Sequence, residues 1–141
     1  MKMPRILLCA GASGSGKTLL TCGILQALIN RGIKPASFKC GPDYIDPMFH
    51  KKVLGTVSGN LDTFFLDDES LRWLFTERAK GCDIAIIEGV MGYYDGLGGI
   101  SQKASTYDVA RATQTPAILI VNSKGVSASL AAQIQGFQNF K

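Results

Sequence analysis

The chain has 141 residues, with 46% hydrophobic and 18% charged side chains, which suits one globular domain and excludes a disordered or fibrous chain. Fifteen Lys and Arg against eleven Asp and Glu leave a net charge of +4, an excess too small and too dispersed to argue for nucleic acid but suited to anionic small molecules. Four cysteines at positions 9, 22, 40 and 82 form no CxxC pair and accompany a single histidine, so neither a zinc site nor a disulfide framework is indicated, and reduced thiols in a cytoplasmic core are expected.

The N-terminus superficially mimics a signal peptide, with Lys2 and Arg5 before an apolar run, but that run is short and passes directly into glycines. It reads as a first buried strand, Ile6 to Cys9. No stretch approaches the roughly 18 apolar residues that cross a bilayer. A helix is predicted from Lys17 to Asn30, where Leu19, Leu20, Ile24, Leu25, Leu28 and Ile29 recur at helical spacing and Gly32 supplies a stop. Pro35 to Phe38 reads as a second strand, and Asp46 with Pro47 as the N-cap and first residue of a brief helix to Leu54.

Asp67 or Asp68 is expected to cap the next helix, whose stripe is Leu71, Leu74 and Phe75, with Trp73 at its edge and Gly81 at its end. Ile84 to Ile87 is a third strand, bounded by Asp83 and Glu88 and followed by the glycine-rich segment GVMGYYDGLGG. Ser105 and Asp108 have capping-box-like spacing before a helix to Gln114. Ala117 to Val121 is a fourth strand, and Ser127 to Gly136 a last helix. Strands that are nearly continuous in apolar residues and alternate with helices predict a mostly parallel sheet in a three-layer α/β/α arrangement, and GASGSGKT between the first strand and the first helix makes it of the P-loop NTPase type. The end of the sequence, directly after a helix, leads us to expect a sheet that is incomplete at its C-terminal side.

The strongest chemical signal is GASGSGKT, comprising Gly11, Ala12, Ser13, Gly14, Ser15, Gly16, Lys17 and Thr18, which satisfies GxxxxGK[ST] between a predicted strand and a predicted helix. Backbone N–H groups of such a loop cradle phosphate oxygens, Lys17 reaches the terminal phosphates, and the Thr18 hydroxyl is a candidate Mg²⁺ ligand. Glu88 closes the apolar run of the third strand, where P-loop proteins place a carboxylate for Mg²⁺ or its waters. Asp83, at the opposite end of that strand, is read as structural. Lys39 and Asp43 follow the second strand; each alone is more often a surface charge, but beside a P-loop the lysine can neutralise a transferring phosphoryl group and the aspartate can ligate Mg²⁺. Asn122 to Gly125 is not a guanine-reading NKxD, and His50 reads as a solvated helix residue with the cysteines as core fillers.

The segments GASGSGKT, FKCGPDYIDPMFH, NLDTFFL, IEGVMGYYDG and STYDVAR together carry a resemblance. They make the chain similar, almost end to end, to the N-terminal ATP-binding part of the cobyrinic acid a,c-diamide synthase family, whose broader relatives are dethiobiotin synthetase and cobyric acid synthase. The resemblance implies an ATP-dependent ligase that phosphorylates a side-chain carboxylate of a corrin or related tetrapyrrole, after which ammonia displaces the phosphate. It implies catalytic roles for Lys17 and Lys39, Mg²⁺ at Thr18, Asp43 and Glu88, and a substrate side formed by Tyr44, Asp46, Asn60 and Asp62. Full members of that family continue into a glutamine-hydrolysing domain with a cysteine nucleophile, and no cysteine here matches it. The chain departs from the family at Asn122, where Asp is usual, and at Tyr93, where Leu or Phe is usual. The macrocycle stays open among cobyrinate, hydrogenobyrinate and nickel sirohydrochlorin, and an exposed sheet edge makes a homodimer an expectation. Two other readings share the P-loop. A small-molecule kinase would carry an arginine-bearing lid, for which Arg72, Arg78 and Arg111 do not cluster in sequence, and a partner-binding switch ATPase would carry a lysine where Ala12 and Ser13 stand.

Overall fold

A computed structural model describes residues 3–141, so Lys2 of the signal-like N-terminus lies outside the described residues. Its strands are β1 (Arg5–Ala10), β2 (Pro35–Cys40), β3 (Val57–Leu61), β4 (Ile84–Glu88) and β5 (Ala117–Ile120). The helices are α1 (Lys17–Asn30), α2 (Ile45–Lys52), α3 (Asp68–Arg78), α4 (Thr106–Thr113) and α5 (Ser129–Asn139), with a short 3₁₀ turn at Leu97–Gly99. Every strand pair is parallel, and the order across the sheet is β3-β2-β4-β1-β5.

Strand β3 was not expected. Its sequence, VSGNL, lacks an apolar run, and only Leu61 is buried, because β3 is an edge strand that needs to be apolar at few positions. The other boundaries shift by a few residues. Extension of β2 to Cys40 and of β4 to Glu88 brings Lys39 and Glu88 inside the sheet as register partners.

The period of two along each strand sorts side chains onto two faces. Leu7, Cys9, Ala36, Phe38, Cys40, Ala85 and Ile87 pack with Leu71 and Phe75 of α3 and with Val109 and Ala112 of α4. On the opposite face Leu8 and Ile86 pack with Leu25 of α1. The stripe expected on α1 is only partly used: Thr21 and Leu25 are buried, whereas Leu19 is 79% exposed.

Helix caps follow side-chain chemistry in two places and not in a third. Asp67 caps α3 by accepting from the Ser70 N–H, and Ser105 caps α4 by accepting from the Asp108 N–H. The expected cap at Asp46 is corrected: α2 begins two residues earlier, at Ile45, its cap residue Tyr44 contributes no side-chain bond, and Asp46 is turned toward Lys39 instead. Asp83 accepts from the Lys34 N–H at the other end of the sheet, a structural role.

Chain topology then fixes where a ligand can enter. After β1 the chain passes over β4 to reach β2, and after β4 it passes over β1 to reach β5, so the connections leave these two neighbouring strands in opposite directions on opposite faces of the sheet. In open parallel sheets such a switch point opens a crevice at the carboxyl ends of the strands. Among the described residues, no helix is long and apolar enough to cross a membrane.

Candidate active site

The loop from Gly11 to Gly16 leaves β1 at this crevice and turns into α1. Gly16 occupies the cap position with φ 84°, a left-handed conformation that a glycine adopts without the clash a Cβ brings. Ser13 to Thr18, with Lys39, Asp43, Asp46 and Gly89 to Met91, wall a cavity of about 480 Å³, and Gly11 and Ala12 lie outside its lining. Residues from three connections, after β1, β2 and β4, therefore converge on one space.

Lys17 lies at the floor, 7% exposed, and its Nζ donates to the carbonyls of Ala12 at 2.9 Å and Met91 at 2.7 Å. Burial, together with the nearby positive charge of Lys39, lowers its pKa below the ordinary lysine value. Neither carbonyl carries a full negative charge, so this ammonium is held in place while its charge stays uncompensated by any direct ion pair, a suitable state for receiving phosphate oxygens. Met91 holds its carbonyl there with φ 49°, a strained value for a residue with a side chain. The same loop presses on the P-loop, since a Cβ at Gly92 would lie 2.8 Å from the Gly11 carbonyl oxygen.

Lys39 is compensated. Its Nζ donates at 2.7 Å both to Asp46 Oδ2 and to Glu88 Oε1. Burial works against this ammonium, but the two carboxylate hydrogen bonds outweigh it and hold its pKa above the usual value. Glu88 is fully buried; its Oε1 also accepts from the Thr18 hydroxyl at 2.5 Å, and its Oε2 has no hydrogen-bond partner.

The donor set fits a magnesium ion. Hydroxyl and carboxylate oxygens are hard ligands, Mg²⁺ takes few of them from protein and the remainder from phosphate and water, and Thr18 and Asp43 line the cavity with Glu88 buried behind Thr18 and accepting from its hydroxyl.

The expected substrate residues divide. Asp46 lies in the cavity wall but is engaged by Lys39. Tyr44 is 72% exposed and does not line the cavity. The Asn60 amide donates to the carbonyls of Gly41 and Asp43, bracing the loop after β2, and Asp62 accepts from the Phe64 N–H at 2.8 Å. Asn60 borders a different groove of about 600 Å³, shared with Met48, Lys51, Lys52 and Arg78.

One residue read as solvated is not. His50 is fully buried; its Nδ1 pairs with Ser37 Oγ at 2.7 Å, while Nε2 faces Cys22 Sγ at 3.5 Å and Glu88 Oε2 at 4.0 Å. The signal was present in helical spacing, because His50 stands three positions after Pro47 and both are the buried residues of α2. A Cys/His contact therefore exists where none was expected. Its electrostatics are those of a resting pair: burial lowers the His50 pKa, and burial with Glu88 and Asp46 raises that of Cys22, so the thiol is not activated as a thiolate. Burial likewise pushes Cys9 to about 11 and Cys40 to about 12.

Comparison with known proteins places this geometry in a lineage. A family model described as the CobQ/CobB/MinD/ParA nucleotide binding domain matches residues 6–139. The cobyrinate a,c-diamide synthase of Listeria innocua is 49% identical over 139 residues, which cover 98% of this chain and 31% of that protein. The enzyme of the same name from Thermoplasma acidophilum is 42% identical over 140 residues, 99% of this chain and 31% of its own. The hydrogenobyrinate a,c-diamide synthase of Streptomyces coelicolor is 44% identical over 135 residues, 96% of this chain and 28% of its own. The chain thus spans about a third of the length of the curated relatives it matches. With a P-loop at the switch point of a parallel sheet and a match over nearly every residue, the chain belongs to the CobQ/CobB/MinD/ParA nucleotide binding domain family.

Proposed function

We propose that this chain is the ATP-binding synthetase part of an enzyme that amidates side-chain carboxylates of a corrin, as in cobyrinate a,c-diamide synthesis. The observation that supports it is the pair of lysines at one cavity, Lys17 on carbonyls and Lys39 on carboxylates, set among a P-loop, Thr18 and Glu88. The names of the relatives point to the same macrocycle class.

In this reading the γ-phosphoryl group of ATP passes to a substrate carboxylate oxygen and ADP leaves. Ammonia then attacks the acyl carbon and expels phosphate. The backbone N–H groups from Gly11 to Gly16 hold the phosphates, and Lys17 moves from the Ala12 and Met91 carbonyls to the terminal phosphate oxygens. Lys39 neutralises charge on the transferring group, and its grip on Asp46 and Glu88 sets its position. Thr18, Glu88 and Asp43 would hold Mg²⁺, which when bound supplies neutralisation of the phosphate charge. Tyr44, Asn60 and Asp62 line or brace the side from which the macrocycle arrives. Ammonia comes from glutamine through a glutaminase domain of the longer protein, the whole acting as a homodimer in the cytoplasm.

The test is ATP-dependent amidation by the full gene product, with cobyrinate, hydrogenobyrinate and nickel sirohydrochlorin offered separately and glutamine compared with ammonium. Amide formation with one macrocycle is expected, and Lys17→Ala is expected to cut turnover at least about 100-fold, the scale for removing one transition-state donor. Phosphorylated product that never goes on to amide would favour a kinase instead.

A further inference from the structure

Glu88 is buried with one oxygen doubly engaged and the other without a hydrogen bond, and a buried carboxylate oxygen in that state costs free energy unless something polar faces it. What faces it is the Nε2 edge of His50, at 4.0 Å. The other polar group at that edge is Cys22 Sγ at 3.5 Å, and on the far side of the ring Ser37 Oγ meets Nδ1 at 2.7 Å.

These contacts select an arrangement of hydrogens. The Ser37 hydroxyl, 2.7 Å from Nδ1, is able to donate to it as an acceptor. Nε2 then carries the ring proton and directs it at two electron-rich groups, the sulfur and the carboxylate. The opposite tautomer would set a bare ring nitrogen against the carboxylate oxygen.

The backbone of His50 is anchored as well. The N–H and hydroxyl of Thr56 both donate to the His50 carbonyl at the end of α2, at 3.2 and 3.1 Å. Through His50 the helix that carries Asp46 is tied to β2, to α1 and to the carboxylate at the end of β4.

We propose that His50 is a positioning residue for the metal-binding carboxylate: Ser37 sets its tautomer, and its Nε2–H faces Oε2 and orients Glu88 so that Oε1 is presented to Thr18 and Lys39 beneath the cavity. It touches neither nucleotide nor substrate. This inference rests on the assignment of Thr18 and Glu88 to Mg²⁺ in the proposed function. Partners that orient a metal-ligating side chain are typically worth about 10- to 100-fold in metal affinity.

The experiment measures binding of a non-hydrolysable ATP analogue to the full gene product across a Mg²⁺ titration, with binding in EDTA as a control. The electron paramagnetic resonance spectrum of Mn²⁺ with the analogue gives a second readout. His50→Phe keeps the ring volume and removes the N–H, and it is expected to raise the Mg²⁺ concentration for half-saturation about 10-fold or more while binding in EDTA is unchanged. His50→Gln, which returns an N–H donor, is expected to recover part of that loss. Ser37→Ala, a milder change, is expected to raise it several-fold and decides the matter should His50→Phe fail to fold.

Unchanged Mg²⁺ dependence in His50→Phe, or in Ser37→Ala in that event, overturns the proposal. So does an equal loss in His50→Phe and His50→Gln that extends to binding in EDTA, since a purely architectural histidine behaves that way. Thr18→Ala and Glu88→Gln separate the two levels. If they weaken the Mg²⁺ dependence and His50→Phe does not, the His50 role alone fails; if they leave it unchanged, the metal assignment fails and the His50 role with it.

Discussion

Lys17 and Lys39 are the same residue type at one cavity, yet their surroundings drive them apart. Lys17 sits on two carbonyls with its pKa lowered, and Lys39 sits on two carboxylates with its pKa raised. Removing Lys39 therefore has two effects. Lys39→Met is expected to suppress amidation, and because it strands Glu88 in the interior it is expected to lower stability by about 3 kcal/mol, the cost of breaking a buried pair. Thermal unfolding of the variant beside Glu88→Gln and the double variant measures the coupling; additive losses would show that the two side chains do not depend on each other. That Lys17, Thr18 and Glu88 lie close together was legible in the sequence because a P-loop has a fixed spacing and a strand-end carboxylate a fixed place. His50 was not, because nothing local shows that Ser37, Cys22 and Glu88 lie around it.

At the scale of elements, the segment after β4 behaves as one wall of the phosphate loop. Gly92→Ala places a methyl group 2.8 Å from the Gly11 carbonyl, so it is expected to displace the P-loop, lower stability by about 1 to 3 kcal/mol and weaken nucleotide binding. Nucleotide titration and denaturant unfolding of that variant check both effects. Helices α3 and α4 are joined by Arg111, which donates to both oxygens of Asp68 at 2.8 and 3.0 Å and also to Asp108. The hydrogen bonds from Arg111 hold the Asp68 carboxyl below its ordinary pKa of 3.8. A carboxylate with a lowered folded-state pKa stabilises the fold above its unfolded value, and that contribution is lost as pH falls below it. Asp68→Asn is expected to cost roughly 0.5 kcal/mol at neutral pH, since the pair is partly exposed, and nothing at pH well below 3.8, which denaturant curves at the two pH values compare. Element type was readable wherever an apolar run or a capping residue was present, as at Ile84–Glu88 and Asp67. It was unreadable at β3, where Gly59 and Asn60 interrupt the pattern on an edge that needs little burial.

For the whole molecule, the distribution of thiols carries a prediction. Cys9 and Cys40 are buried with raised pKa, and Cys22 faces His50 next to two carboxylates that oppose a thiolate. Residues 1–141 purified alone are accordingly expected to release no ammonia from glutamine, measured by a coupled ammonia assay; ammonia release abolished by Cys22→Ala would reverse that conclusion. By itself the sequence determined the alternation of strands and helices, the phosphate loop and the carboxylate that answers it, because these depend on local periodicity and on short fixed spacings. Only the tertiary structure decided the strand order, the existence of β3, the division of labour between the two lysines and the burial of His50. Those follow from which side chains a parallel sheet brings into register across 49 residues of chain, as with Lys39 and Glu88, and no local pattern encodes that meeting.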